Sequence, residues 1–505
     1  MIDHGRIECD VLRGKVMTAE AAVELITPGT TIGVSGFTGS GYPKAVPQAL
    51  AAGIKTKSRE GMPFRVNLWT GSSTGPEVDG ALAAVDGIAF RMPFQSDPYL
   101  RDRINKGETE YVDNHLSCAA PIAASGSMGP LHTALIEVTA IRKDGKLVPS
   151  SSVGNNQSWL YQAKQVILEV NSWQSADLEG MHDIYTIARP PHTRPIRIQK
   201  PDDRIGVHHL AVDMEKVVAV VETDIADRNS PLAPPDPVSL RIAANIINFL
   251  SNEVRQGRLP ASLLPLHLGI GAVSNAVLAG LKDAQFESMT AYTEVVQDGM
   301  LDLLDCGKLS MVSATALSFS HDHARAFNAD AKKYRNRIVL RPQDVSNSPE
   351  VIRRLGCIAM NPFLELDIYG FVNSTHVMGS WMMNGIGGSG DFARSASLSL
   401  FMGPSVANGG KISAIVPMCS HMDHAAQDVM VVVTEQGVAD LRGKSPKQRA
   451  ETIINNCAHP DYRPLLLDYY KRAKKTSTGL HAPCMLDEVF SWHDRFVKTG
   501  TMLRR

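Results

Sequence analysis

Short apolar, largely β-branched runs alternate along the chain with stretches whose apolar positions recur every three or four residues. That alternation predicts parallel α/β layers, because a strand buried on both faces reads as a continuous apolar run and a crossover helix as an amphipathic one. In the first half, TIGVSGF (31–37), FRVNLWTG (64–71) and QVILEVN (165–171) read as strands, the first two running into glycine-rich turns. AAVELI and AVPQALAAGIK around them read as helices. Between 187 and 236 the texture turns proline-rich and charged, in IARPPHTRPIRIQKPDDR and DRNSPLAPPDP, around the strand VVAVVET (217–223). Such a stretch marks an inter-domain region. The second half resumes with LPLHLGIG (264–271), MTAYTEVV (289–296), RIVLRPQD (337–344), ISAIVPM (412–418) and VMVVVTEQG (429–437) as strands. VSNAVLAGL and GVADLRG read as helices following two of them, and the tail from about 445 reads as helical. The pattern predicts two open α/β sheets, in domains 1–225 and 226–505, with no self-similarity that would mark a duplication.

Composition narrows the class. A chain of 505 residues exceeds what one hydrophobic core supports, and 44% hydrophobic with 20% charged residues is ordinary for a soluble protein. A net charge of -1 offers no electrostatic case for nucleic acid or an anionic membrane, so any anionic ligand must be held by local features. The seven cysteines are scattered, odd in number and never spaced CxxC, which argues for a reducing compartment and against a disulfide framework or zinc knuckle. The N-terminal stretch mixes acids (Asp3, Glu8, Asp10) with bases and lacks an apolar signal region. No apolar run approaches the roughly 20 residues of a membrane helix. A cytoplasmic protein is expected.

Ligands of open α/β sheets sit beyond the carboxyl ends of the strands, and four places there carry candidate chemistry. In GIGAVSNAVLAGL, Gly269 and Gly271 lie between a strand and a helix whose first turn holds Ser274 and Asn275. Glycines let a ligand approach the backbone, and free N–H groups at the helix start attract an anion or developing oxyanion; a tight turn needing glycine only for its geometry is the plainer reading. In MNGIGGSGDFARSA (383–396), Gly385, Gly387, Gly388 and Gly390 crowd together at a chain-entropy cost that close ligand approach would justify. GVSGFTGSGYP (33–43) and TGSSTGP (70–76) share the texture. Glu294 and Glu435 stand at strand ends, where a glutamate is ordinarily a salt-bridge partner or solvated edge residue but can act as a nucleophile toward an acyl carbon.

Other chemistries find less support. The groups His321/His323, His421/His424 and His208/His209 lack a third ligand at metal spacing, so no metal is expected. A GxGxxG turn with a distant acid, a GxxxxGK[ST] loop and a GxSxG elbow are all missing, which counts against a dehydrogenase, a nucleoside triphosphatase and an α/β-hydrolase.

Read together, SGFTGSGYPKAVP, ETEYVDNHL, VPSSSVGNNQ, DRNSPLAPPD, LPLHLGIGAVSNAVL, TEVVQDGMLDLLD, RPQDVSNSPEVIRRLGCIAMN, VMGSWMMNGIGGSGDFARS, KISAIVPM, VTEQGVADLRG and CAHPDYRPLLLDYY resemble the acetyl-CoA hydrolase/transferase family, within the class I CoA-transferases. The likeness spans nearly the whole chain. It implies two α/β domains with the active site between them, the catalytic glutamate and the CoA site carried by the C-terminal one, usually in a homodimer, and no permanently bound cofactor, coenzyme A (CoA) being substrate and transient covalent partner. Glu294 matches the glutamate that forms the glutamyl-CoA thioester, and Glu435, Asn347 and Arg228 match polar residues lining the site, Arg228 suiting a substrate carboxylate. CoA contacts fall on Gly269, Ile270, Gly271, Ala272, Val273, Leu364, Asn384, Gly388 and Asn408, with the amides of Ile270 and Gly388 as oxyanion donors. Asn408 departs from the lysine frequent there, with Lys411 close by to compensate. The implied activity is ping-pong exchange of CoA between succinyl-CoA and acetate. Other short acids such as propionate, acetyl-CoA hydrolysis, a non-catalytic CoA-binding protein and a sugar-phosphate isomerase-like enzyme are the alternatives.

Overall fold

In a computed structural model, which describes residues 5–229 and 234–504, the first-half apolar runs gather into one eight-stranded sheet. Its strands are β1 (Thr31–Val34), β2 (Val66–Trp69), β3 (Ile88–Met92), β4 (Glu110–Tyr111), β5 (Thr133–Ile141), β6 (Leu147–Pro149), β7 (Gln165–Asn171) and β8 (Val217–Thr223). They run in the order β4-β3-β2-β1-β5-β7-β8, with β6 paired to β5. Every pairing is parallel except β5 with β6. Strand order reverses between β1 and β5, the place where an open sheet leaves a crevice at its carboxyl edge. All nine residues of β5 are buried, yet its sequence does not read as a simple apolar run because Glu137 and Thr139 interrupt it. Glu137 is accommodated by the buried ammonium of Lys44, 2.5 Å away.

The chain divides into two units. The first comprises Met1–Pro231, Ala291–Leu304 and Ser310–Leu355, and the second Leu232–Thr290, Asp305–Leu309 and Gly356–Arg505. Glu294 therefore falls within the first unit. Residues 230–233, inside the stretch expected to join the domains, lie outside the described residues, as do residues 1–4 of the N-terminal stretch. The first core packs Val46, Leu50 and Ile54 of the helix Ala45–Arg59 on Ile32, Val34 and Leu68 of the sheet. That helix begins where Glu169 accepts the N–H groups of Lys44, Ala45 and Val46, satisfying donors a helix start leaves unpaired.

In the second unit Leu266–Leu268, Ile358–Pro362, Leu398–Met402 and Val431–Thr434 lie side by side and parallel, and Gly437–Asp440 returns antiparallel at the edge. Helices Pro446–Cys457, Arg463–Thr476 and Ser491–Thr499 form the expected C-terminal region. Their Ile453, Ile454, Leu466, Tyr470 and Trp492 share a core with Phe401 and Val432 of the strands.

Three local expectations are corrected. GVADLRG does not form a helix: Gly437–Asp440 pairs with Val431–Thr434, and cross-strand bonding prevails over helix propensity. ISAIVPM forms two two-residue strands outside the parallel set, Ile412–Ser413 and Ile415–Val416. MTAYTEVV is interrupted at Thr293 and Glu294, between Met289–Tyr292 and Val295–Gln297.

Candidate active site

The break at Glu294 sets the first group of residues. N–H groups of Thr315 and Ala316 converge on the Glu294 carbonyl (2.9 and 3.2 Å), fixing the backbone while the half-buried side chain leaves the strand direction. Nδ2 of the buried Asn347 donates to Glu294 Oε1 at 2.9 Å. Asn347 follows the one-turn helix Gln343–Ser346, whose Gln343 donates its N–H to the Gly154 carbonyl (2.9 Å) and its Nε2 to the Leu116 carbonyl (2.8 Å). Phe37, Leu116, Val295 and Ala316 pack around this region, with Phe94 against them.

The glycine-rich turns of the first half meet here. A Cβ on Gly71 would lie 2.6 Å from the Gly36 carbonyl oxygen, 3.1 Å from Gln343 Oε1 and 3.5 Å from Gly154 Cα. Three backbones thus touch beneath the turn that presents Asn347, which only glycine permits. Asn347 Oδ1, Gln343 Oε1 and Ser346 Oγ are buried without a partner among the described residues. Buried polar atoms are overwhelmingly paired, so such a cluster is unusual outside a binding site.

Arg228 lies in the same unit. Its guanidinium, 65% exposed, pairs with the buried carboxylate of Glu77 at 3.0 Å. Its backbone N–H donates to the Gly39 carbonyl (3.1 Å), and Asn229 accepts from the Gly39 N–H (2.9 Å) and donates to Ser40 Oγ (2.9 Å). A Cβ on Gly39 would fall 2.0 Å from the Arg228 carbonyl oxygen. The GFTGSG turn is moulded onto the backbone that carries Arg228, with Thr38 held at a φ of 56°, an uncommon conformation for a β-branched residue.

The second group lines one edge of the other sheet. Its parallel strands place Gly269–Val273, Leu364, Ser405 and Glu435 beyond their carboxyl ends. Gly388, which starts the helix Ser389–Ser395, comes to the same edge because a helix feeding the next parallel strand begins there. Gly269 donates to the Met360 carbonyl (3.0 Å), and a Cβ on it would strike Pro362 at 2.8 Å. Gly271 caps the helix Ala272–Asp283 with a φ of 144°. The two glycine-rich starts are tied together by His267, whose ring stacks on Phe392 at 3.6 Å and 5° and whose Nε2 meets Asn361 Oδ1 at 3.3 Å. Burial holds this imidazole neutral, its pKa pushed down to about 3. Ser274 Oγ and Asn384 Oδ1 are buried and without partners among the described residues. Ile270 and Leu364 are half-exposed apolar side chains on this edge.

Glu435 is anchored. Ser405 donates both its N–H (2.9 Å) and its hydroxyl to the carboxylate, and Gln436 Nε2 donates at 3.0 Å. Burial pushes this carboxyl up, but those hydrogen bonds outweigh it and leave the pKa below the usual value. Asn408 sits at the tip of the hairpin Val406–Ala407/Ile412–Ser413, with φ 49° followed by Gly409 at 62° and Gly410 at 84°. Asparagine is among the few residues that enter this left-handed region readily, which accounts locally for its presence.

Residues 10–222 match the acetyl-CoA hydrolase/transferase N-terminal domain, and residues 325–470 match the C-terminal domain. The chain belongs to the acetyl-CoA hydrolase/transferase family. It is 48% identical to the succinyl-CoA:acetate CoA-transferase of Clostridium kluyveri over 97% of this chain and 90% of that protein. It is 44% identical to the acetyl-CoA hydrolase of Saccharomyces cerevisiae over 97% of this chain and 95% of that one. The fold is shared with a 4-hydroxybutyrate CoA-transferase from Porphyromonas gingivalis at a TM-score of 0.63 and 23% identity, covering 92% of this chain and 99% of the other. It is thus an enzyme of the CoA-transferase and acetyl-CoA hydrolase type, and its fold is that of the CoA-transferases.

Five of the six histidines weighed as metal ligands have local partners. His323 meets Asp298 and Asp302 (3.2 and 3.4 Å), His421 meets Asp423 (3.2 Å), His424 meets Ser389 (3.2 Å), His209 meets Glu179 (2.7 Å) and His208 the His182 carbonyl (2.9 Å). Glu77, Tyr42, Asn229 and Gln343 escaped sequence reasoning. Glu77 lies beside a turn that had been singled out, but nothing in its own context marks it, and Gln343 was visible only as part of RPQDVSNSPE.

Proposed function

We propose that the enzyme exchanges CoA between succinyl-CoA and acetate through Glu294. The observation that carries this reading is the Asn347 Nδ2 to Glu294 Oε1 hydrogen bond (2.9 Å) beside an unpartnered, buried Asn347 Oδ1. A carboxylate oriented by a buried amide is placed to act as a nucleophile toward an acyl carbon, and an orphan amide oxygen nearby suits a bound molecule. The Glu294 carboxylate attacks the acyl-CoA carbonyl, the C–S bond breaks, and CoA thiolate leaves an acyl-glutamyl anhydride. The thiolate then attacks the glutamyl carbonyl, the anhydride C–O bond breaks, and the first carboxylate departs from glutamyl-CoA. Acetate reverses the two steps.

Oxyanion stabilisation falls in this proposal to the amides of Ile270 and Gly388, neither of which donates to another described residue. A preorganised donor of this kind is worth about 3–4 kcal/mol in acyl transfer. Gly269–Val273, Leu364, Asn384, Gly388 and Asn408 are assigned to CoA, Arg228 to the acid, and Glu435 to holding the Ser405 turn on the CoA edge. CoA is substrate and transient thioester; no permanent cofactor is invoked. The proposal includes a sequence division at 225/226, which the end of the N-terminal family match at 222 supports, with Ala291–Leu304 and Ser310–Leu355 of the second part packing in the first unit, and a homodimer working in the cytoplasm.

Mass spectrometry after incubation with succinyl-CoA tests the reading. A CoA adduct confined to the peptide containing Glu294, and absent from Glu294→Ala, is expected; full turnover by Glu294→Ala overturns it. The likeness to the yeast hydrolase favours acetyl-CoA hydrolysis as the second reading. CoA release that needs no acceptor acid would favour it over transfer.

A further inference from the structure

Arg228 does not face solvent alone. Glu77, 5% exposed, holds its Nη1 at 3.0 Å, and Tyr42 donates its hydroxyl to the other Glu77 oxygen at 2.7 Å. Burial and the neighbouring Glu77 raise the Tyr42 phenol far above its ordinary range, so it remains a donor. The TGSSTGP turn makes room for this: a Cβ on Gly75 would lie 2.1 Å from the Tyr42 hydroxyl and ring. Lys44 in turn fixes Tyr42 by donating to its carbonyl (2.7 Å) and lying 4.3 Å from the ring centroid, while also pairing with Asp227, the residue before Arg228, at 2.7 Å. The Glu77 carboxylate is therefore built in, at a fixed place behind an exposed guanidinium.

We propose that Glu77 is a specificity-determining residue: by neutralising Arg228 it keeps acids with one carboxylate competitive against acids with two. The inference rests on Arg228 being the partner of the acid substrate. Coulomb attraction to a cation scales with ligand charge, so an unneutralised guanidinium favours a dianion over a monoanion, whereas a guanidinium paired with a buried carboxylate discriminates much less. An enzyme that passes CoA between a dicarboxylic and a monocarboxylic acid needs that restraint, because both must be accepted at the same place.

The test is the ratio of kcat/KM for succinate over acetate as acceptors from one acyl-CoA donor. Glu77→Gln keeps the side-chain volume and an acceptor for the Tyr42 hydroxyl but removes the charge. It should raise the ratio about fivefold at low ionic strength, an increase that shrinks as salt screens the exposed guanidinium. Glu77→Asp, which keeps the charge, should leave the ratio within about twofold of wild type. Glu77→Ala carries the same test if the glutamine variant does not fold. A merely structural Glu77 would alter melting temperature and total activity but leave the ratio and its salt dependence unmoved, and that result overturns the proposal. Arg228→Gln separates the two levels. If it leaves the KM of both acids unchanged, the acid-site reading of Arg228 fails. If it raises them while neutral Glu77 variants do not shift the ratio, only the inference about Glu77 fails.

Discussion

Asn347 spends one end of its amide on Glu294 and leaves the other end buried and unbonded. The donating half orients the Glu294 carboxylate; the orphan half has no structural purpose among the described residues. Removing the side chain should therefore damage catalysis more than folding. Asn347→Ala is expected to lower kcat about 10- to 100-fold, the value of a hydrogen bond to a charged group, while its melting temperature stays close to wild type. A kcat within twofold of wild type would remove Asn347 from the catalytic machinery.

Two glycines make opposite predictions about alanine. At Gly39 a Cβ falls 2.0 Å from the Arg228 carbonyl oxygen, and the contact is with backbone, which cannot swing aside. Gly39→Ala should displace the Arg228 segment, lower stability by roughly 2 kcal/mol or more, and raise the acid KM more than the acyl-CoA KM. Gly53, inside the helix Ala45–Arg59, has no atom within 4 Å of a new Cβ. Gly53→Ala should stabilise by about 0.5–1 kcal/mol. Denaturant titration of both variants decides, and equal effects would contradict the geometry.

Asn408 offers a trade between backbone and charge. At φ 49° a lysine costs about 1 kcal/mol more than asparagine, but it would add a cation on the edge assigned to CoA. Asn408→Lys is expected to lower the KM for acyl-CoA several-fold at low salt while slightly lowering the melting temperature. An unchanged KM would show that Asn408 lies away from the CoA phosphates.

The legibility of the fold followed burial. QVILEVN and VVAVVET, whose apolar runs Val166–Leu168 and Val217–Val221 are unbroken, gave strand bounds that the structure reproduces. β5 was hidden because Glu137 sits mid-strand and is tolerated through Lys44, Asn171 and Gln174, partners 93, 34 and 37 positions away that no local pattern reveals. GVADLRG misled because four residues between a turn and a proline-started helix carry too few positions to separate a period of 3.6 from one of 2. In the candidate site, the family likeness pointed to Glu294 and Asn347, and the structure brings those two together. Glycine texture pointed to turns 33–43 and 70–76 without saying why, and the reason is three-dimensional: Gly36, Gly71 and Gly154 meet only after β1, β2 and β6 are in place. Glu77 and Tyr42 are ordinary residues until the fold sets them behind Arg228.

His267 links acid stability to the CoA edge. Its folded pKa is pushed down to about 3 by burial, whereas the ordinary value is 6.5. For a histidine depressed on folding, the unfolded chain binds the extra proton first, so stability is full above about 6.5 and falls as pH drops toward 3. Within that window each pH unit costs up to about 1.4 kcal/mol from this one group. His182, buried in the first unit and pushed down to about 4, adds a second contribution of the same sign. Because His267 stacks on Phe392 and lies two residues before Gly269, its protonation should loosen both the Gly269–Gly271 and Gly385–Gly388 turns. His267→Gln removes the titrating group at the cost of the stacked ring. It should be less stable than wild type at pH 7.5 yet lose stability less steeply between pH 6.5 and 4, with a shallower acid limb in the KM for acyl-CoA. Melting temperatures and initial rates measured across that range test this. Parallel slopes for wild type and variant would place the acid sensitivity elsewhere.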